Sequence, residues 1–426
     1  MRQMKDSGIA WIGQIPQEWE VRRIGVISNV VTGQTLPKND KVEYYGESGL
    51  MWVKPDNLAM LKPIYKTVEY INDFGKNIVV RVEPLTPLVC CIGTIGKVGY
   101  SEHEVTFNQQ INAICFKNIV NRRYGLYSVM SQEKQHWYYA NGNVIKILNA
   151  TCQKKIVLPL PPLSEQQAIA DKLDKVCGEI DNVIAKTKAV VEEYKKLKQA
   201  IITEAVTGKR QCVMRNSQCG IKEKWAEIKL KWVATLNGRI GWQGLTSIEY
   251  CDEGAYLITG INFENGGVNW NTCVHVPLER WEEAKDIQIS EGDLIITKDG
   301  TVGKTAIVRN MPGKTSLNSG VLLISTNDNC KKEYLYWVLN SDIFWKWFND
   351  INSGNSTIIH LYQHDFKEFS FPLHPLPEQQ AIVAYLDSKC GAIDEVIAKK
   401  QQLITEMENY KKSVIYEYVT GKKEVG

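Results

Sequence analysis

Apolar residues recur at alternating steps of four and three through residues 165–206. They are Ile169, Leu173, Val176, Ile180, Val183, Val190, Tyr194, Leu197 and Ile201, with one polar gap at Thr187. This is the a/d stripe of a long helix that packs along a partner. A second stripe runs through Ile382, Leu386, Ile393, Val396, Leu403, Met407, Tyr410 and Val414, broken at Lys389 and Lys400. The spacing predicts helices over 165–206 and 378–419, each roughly 60 Å long at the usual rise per residue. Proline-rich lead-ins, with Ser164 or Pro377 just before Glu-Gln-Gln, signal the starts. Gly208 and Gly421, each followed by lysine, signal the ends. Helices this long protrude from an ordinary domain, and each needs the other to cover its stripe.

The two stripes are copies of one another. Residues 159–209 and 372–422 align without a gap at an offset of 213, and 27 of the 51 positions are identical. The segments before each copy correspond more loosely. They carry short β-like runs, such as Pro87–Ile92 and Asp293–Thr297, among Gly-, Asn- and aromatic-rich stretches. Trp19 matches Trp225, GTIGKVG at 93–99 matches GTVGKTA at 300–306, and Asn108 matches Asn318. The chain therefore divides into a globular domain (1–158), a helical spacer (159–209), a second globular domain (210–371) and a C-terminal helical spacer (372–426). A common frame holds two different globular parts.

Bulk composition adds boundaries rather than a function. The chain has 426 residues and a net charge of +3, which permits nucleic-acid binding through local patches without announcing it. No apolar run reaches the length of a membrane span, and the first residues have no secretory h-region, so a cytoplasmic location is expected. Eleven cysteines, with no CxxC pair, fit free thiols in a reducing compartment rather than a zinc site.

Motifs that would carry catalysis are missing. GTVGKT at 300–305 lacks the first glycine of a P-loop, whose place holds Lys298. It is better read as a tight turn between strands that presents Thr and Lys to a phosphate. His360, His364 and Asp365 lie close in sequence, but the other half has Ile147 and Thr151 at the histidine positions, so a metal is not expected. Three pairs of loops carry side chains suited to nucleic acid: Gln, Asn and Arg for base edges, Lys for phosphates. They give the candidate contacts Gln34, Lys38, Thr94, Lys97, Asn143 and Lys146 in the first domain. In the second they give Arg239, Trp242, Gln243, Thr301, Lys304, Asn355, Ser356 and Thr357.

The repeated PLPPLSEQQAI and PLHPLPEQQAI, each followed by a long helix and TGK, resemble the specificity subunit of type I restriction-modification systems. The entry SGIAWIGQIPQEWE and the GTIGK and GTVGK turns belong to the same resemblance. It implies an α+β fold with two globular α/β target recognition domains, separated by two long antiparallel coiled-coil helices and related by an internal pseudo-two-fold repeat. It implies that each domain recognises one half of a bipartite site on double-stranded DNA, with half-sites near one turn apart, roughly 34 Å. Two DNA methyltransferase subunits would dock on the frame and flip the target adenine, with restriction subunits joining through them. S-adenosylmethionine, ATP and Mg²⁺ would belong to those partners, with no cofactor and no catalytic residue in this chain. A coiled-coil adaptor that binds only proteins, or the specificity part of a related fused restriction-modification system, are the alternatives.

Overall fold

The computed structural model describes residues 2–36, 44–59, 62–142, 145–208, 225–239, 245–353 and 359–425. The chain folds as two compact units, Met1–Thr187 with Gln402–Gly426, and Lys188–Gln401. The first long helix spans Leu163–Val206 and the second Leu376–Val419, 44 residues each, or about 66 Å at the usual rise. The unit boundaries fall at Thr187 and beside Lys400, the polar gaps of the two stripes. Asp181 of the first helix meets Lys411 of the second, and Lys198, further along the first, meets Asp394, earlier in the second. The helices therefore run antiparallel, and the two ion pairs are copies of each other at the repeat offset.

In the first unit a four-stranded antiparallel sheet is built from β1 (Ser28–Thr32), β2 (Leu88–Cys90), β3 (Val98–Gly99) and β4 (Ile111–Phe116), in the order β1-β4-β2-β3. Side chains alternate between the faces of a strand, and here each face has its own core. Val89 and Ile114 join the cluster that includes Ile169, Leu173, Cys177, Val414 and Tyr418 of the long helices. Leu88, Cys90, Ile111 and Ala113 join a second cluster with Val53 and Phe107. Burial on both faces explains why these strands read as continuous apolar runs. Helices α1 (Arg122–Met130) and α2 (Glu133–Tyr139) follow the sheet.

The second unit repeats the plan with β5 (Ala234–Gly238), β6 (Leu294–Thr297), β7 (Thr305–Ile307) and β8 (Val321–Thr326), in the order β5-β8-β6-β7. Leu294, Ile296, Leu322 and Ile324 pack with Ile202, Val206, Ile382 and Leu386. Ile295, Val321 and Leu323 face the opposite cluster. Helices α3 (Lys332–Leu339) and α4 (Asp342–Asn352) follow.

The duplicated sequence has a local purpose at each helix end. Gln166 is 1% exposed and Gln379 is fully buried. Gln166 Nε2 donates to the carbonyls of Pro161 and Ile119, and its Oε1 accepts from the Asn121 N–H. Gln379 makes the same three bonds, to His374, Asn329 and Lys331. Each glutamine thus ties the globular domain to the first turn of its helix. At the other end, Gly421 and Gly208 adopt left-handed φ of 69° and 67°. A side chain there would strike Pro16 and Trp19 in one unit and Trp225 in the other. TGK is therefore a C-cap against which the matched tryptophan rests.

The helix stripe departs from the expectation in detail. Val183, Leu197 and Tyr410 are about half exposed, at 46%, 46% and 49%. Cys177, Ile184, Val191 and Lys411 occupy the buried face instead. A straight helix turns every 3.6 residues, so a strict heptad drifts off the contact by about 20° per repeat. The residues that inherit the seam lie one position away.

Candidate nucleic-acid interface

In each sheet the antiparallel register brings the same ends of four strands together. In the first domain this end holds the exit from β1 at Gly33, the turn Asn108–Gln110 before β4, and the β2–β3 turn at 91–97. The turn is closed by Cys90 N to Lys97 O at 2.9 Å and Gly96 N to Cys90 O at 3.1 Å. Cys91 N donates to Gln110 O, and Gln34 N to Phe107 O. The segment before the long helix joins them through Leu148 N to Cys91 O at 2.9 Å.

Asn112 is the buried hub of this cluster. Its Oδ1 accepts from the Thr32 hydroxyl at 2.8 Å, and its Nδ2 donates to Leu148 O at 2.9 Å and to Gln153 Oε1 at 2.7 Å. One amide thus ties the end of β1 to the segment 148–153 that leads to the long helix. Sequence reasoning missed Asn112. Its signal is a polar residue in the apolar run INAICF.

The second domain repeats the cluster. Lys298 N donates to Gly320 O and Leu361 N to Lys298 O, at 2.8 and 2.9 Å. GTVGK forms the β6–β7 hairpin turn, strand to strand, with no helix following it as a P-loop requires. Gly303 has φ of 84°, and a Cβ there would lie 2.5 Å from the Trp345 ring. The matching Gly96, φ 80°, is backed by His136 of α2. Both turns are therefore braced by the helix behind them.

The candidate side chains divide into groups. Gln34, Thr94, Lys146, Thr301 and Lys304 are exposed and Lys97 is half-buried. Gln34, Thr94, Thr301 and Lys97 sit at or beside the clustered turns. Thr94 Oγ1 reaches Cys90 Sγ, and Lys97 Nζ lies 3.4 Å from Pro55 O. Lys146 lies over the Trp137 ring, 5.8 Å from its centroid. Lys304 lines a groove of about 770 Å³ with Asp387 and Asp394 of the second long helix, away from the turn tip occupied by Thr301. Arg239 lies inward instead: it is 5% exposed, its Nε donates to Leu317 O and its Nη2 to Ser316 Oγ, both at 2.9 Å. Burial lowers its pKa from the ordinary arginine value, and the guanidinium braces the domain interior rather than reaching outward. Lys38, Asn143, Trp242, Gln243, Asn355, Ser356 and Thr357 lie outside the described residues.

His360 Nδ1 lies 2.6 Å from Asp299 Oδ1, next to the Gly-rich turn, and His364 pairs with its neighbour Asp365 at 3.2 Å. The two histidines thus have separate carboxylate partners. Burial raises the Cys91 thiol to about 11, so it is a packing group rather than a nucleophile. Among the described residues, no helix is long and apolar enough to cross a membrane.

Two repeated sheets, each gathering loops at one end and each joined to a long helix, define a duplicated recognition scaffold. The chain belongs to the family of the type I restriction modification DNA specificity domain, whose model matches twice, over residues 16–193 and 222–407. It is 22% identical over 420 residues to the type I restriction enzyme MjaVIII specificity subunit of Methanocaldococcus jannaschii, covering 96% of this chain and 94% of that protein. It is 21% identical over 428 residues to the StySPI specificity subunit of Salmonella potsdam, covering 96% and 90%. A chain from a solved type I R-M system, studied for its complex assembly and conformational transition, superposes with a TM-score of 0.67. It covers 96% of this chain and 99% of its own at 14% identity, a likeness of fold.

Proposed function

We propose that this chain is the DNA-specificity subunit of a type I restriction-modification complex and that each globular domain recognises one half of a bipartite duplex target. The observation that carries the proposal is the loop cluster formed twice, at the same end of equivalent sheets, with Thr and Lys of the Gly-rich turn shared and neighbouring positions different, Cys91 against Lys298 and Ile147 against His360. Gln34, Thr94, Lys97 and Lys146 are the proposed contacts of the first domain, and Thr301 that of the second, where Lys304 lines the groove with Asp387 and Asp394 instead. The two helices act as a spacer that sets the gap between half-sites. They also dock two methyltransferase subunits, and restriction subunits join through these. Leu197 and Tyr410 support the docking role: they are exposed apolar side chains at equivalent positions of the two copies. S-adenosylmethionine, ATP and Mg²⁺ act in the partners, and the assembled complex works in the cytoplasm, methylating adenine N6 and cutting DNA at the cost of ATP.

The test is a titration of the chain, assembled with its methyltransferase subunits, against random and genomic duplexes at several salt concentrations. A sequence preference that persists as salt rises supports the proposal. Salt-steep but sequence-blind binding, or methylation by the chain without partners, contradicts it.

A further inference from the structure

We propose that a groove beside β5 in the second globular domain binds the phosphate backbone of duplex DNA next to the half-site recognised there, through lysines of which the matched positions of the first domain keep one. The inference rests on the DNA-specificity reading and assigns a surface that the loop candidates do not include. The groove has a volume of about 640 Å³ and is lined by Lys231, Lys298, Asp299, His360, Tyr362 and Lys367, among others. It begins at Lys298, where β6 leaves the sheet toward the Gly-rich turn. It continues along β5, where Gln363 Nε2 reaches Leu236 O at 3.3 Å, to Lys231 just before that strand. The five residues of β5 span about 16 Å, a length over which duplex DNA carries roughly nine phosphates.

The charges in the groove leave cations to spare. Lys298 and Lys367 have no carboxylate partner among the described residues. Glu368 is shared by two ammonium groups, Lys229 at 2.7 Å and Lys231 at 2.6 Å. Asp299 Oδ1 lies 2.6 Å from His360 Nδ1, and along the lining Lys231, Lys298 and Lys367 outnumber Asp299 and Glu368 by one. Tyr362, 54% exposed, adds a phenol donor, and Trp232, 67% exposed, lies under Lys231. Lysine ammoniums with polar aromatic side chains are the groups that meet phosphate oxygens.

Strand register identifies the equivalent positions in the first domain. Val89 and Ile296 pair with matched partners across the sheet, as do Val157 and Ser370. Lys298 then corresponds to Cys91, a buried thiol, His360 to Ile147, and Lys231 to Gly25. Lys154, the counterpart of Lys367, lays its stem against Gly25. Of the three groove lysines, the first domain therefore keeps one, Lys154, at the matched positions.

The experiment compares Lys298→Ala, Lys367→Ala and the double variant in the assembled complex, with Lys285→Ala, an exposed lysine outside the groove, as a control and Lys298→Arg to retain charge. Affinity is measured against salt on the recognised duplex and on scrambled duplexes. The proposal expects a several-fold loss shared by both duplex types. It also expects a salt slope lower by about one per lysine removed, with the recognised bases unchanged and the arginine variant near wild type. An unchanged slope overturns it, and so does a change in the recognised bases. Weaker assembly with the methyltransferase subunits at unchanged DNA affinity would instead assign the groove to an acidic protein surface and also overturn the proposal. Sequence-specific binding by the wild-type complex is read in the same titration, so failure of the groove and failure of the DNA reading are separate results.

Discussion

Replacing Gln379 by alanine removes one side chain and three hydrogen bonds, all at a buried site. The amide donates to the carbonyls of His374 and Asn329, at 2.7 and 2.8 Å, and accepts from the Lys331 N–H at 2.8 Å. Alanine leaves two carbonyls and one N–H without a partner, where water has little access. A buried polar group left unpaired costs about 1–3 kcal/mol. Partial relaxation of the Asn329–Lys331 loop should keep the total near 3 kcal/mol rather than the sum. Gln380 is the next residue in the same motif and is exposed, so Gln380→Ala should stay within about 0.5 kcal/mol. The assay is urea unfolding of the full chain followed by tryptophan fluorescence. With a slope of about 2–3 kcal/mol/M, the Gln379 variant should lower the midpoint of its transition by roughly 1 M. Gln166→Ala should do the same, because it breaks the copied set of bonds. Equal effects of Gln379→Ala and Gln380→Ala would refute the claim that the repeated glutamine is a strut between domain and helix.

Three further outcomes follow from single sites. Gly303→Val places a branched side chain at φ 84° and into the Trp345 ring. It should destabilise the turn by about 2–3 kcal/mol, read as faster amide hydrogen exchange across β6 and β7. Gly93→Ala, at φ 84° with open space around it, should cost only about 1 kcal/mol by the same measure. His136 is fully buried, and burial lowers its pKa from 6.5 to about 4. The unfolded chain therefore takes up a proton that the folded chain refuses. The stability from His136 is complete above pH 6.5 and is lost as pH falls toward 4, by about 3 kcal/mol in all. His136→Gln should flatten that part of the pH profile in urea unfolding, and an unchanged profile would show that His136 is not the group responsible.

The long helices were legible because their pattern is periodic, uninterrupted and written twice. Both were placed to within two residues at their N-termini, although Ser164, read as the cap, and Pro377, read as the first helical residue, each fall at the second position of helices that begin at Leu163 and Leu376. The exact buried face was not legible. Val183, Leu197 and Tyr410 belong to the heptad on paper, yet the drift of a straight helix turns them outward, and Lys411 is buried with its ammonium paired to Asp181. At the loops, polar composition could not separate outward from inward. Arg239 and Gln34 occupy matched loops, and only the fold shows that one braces Leu317 and Ser316 while the other faces solvent. Asn112 escaped notice for the opposite reason: it is a hub whose value lies in contacts from two distant segments, at Thr32 and at 148–153. Lys298 and Lys367 are ordinary surface lysines in the sequence, and only the sheet register brings them to one groove.

Two different domains on one repeated frame are proposed to recognise one half of a target each. The measurement that tests this most directly is single-molecule sequencing of modified adenines in cells carrying the complete system. It should be done with the native chain and with residues 222–371 exchanged for those of another family member. The account predicts a bipartite methylated motif in which the exchange alters one half-site and leaves the other half and the gap as they were. A motif that changes in both halves, or does not change at all, would contradict it.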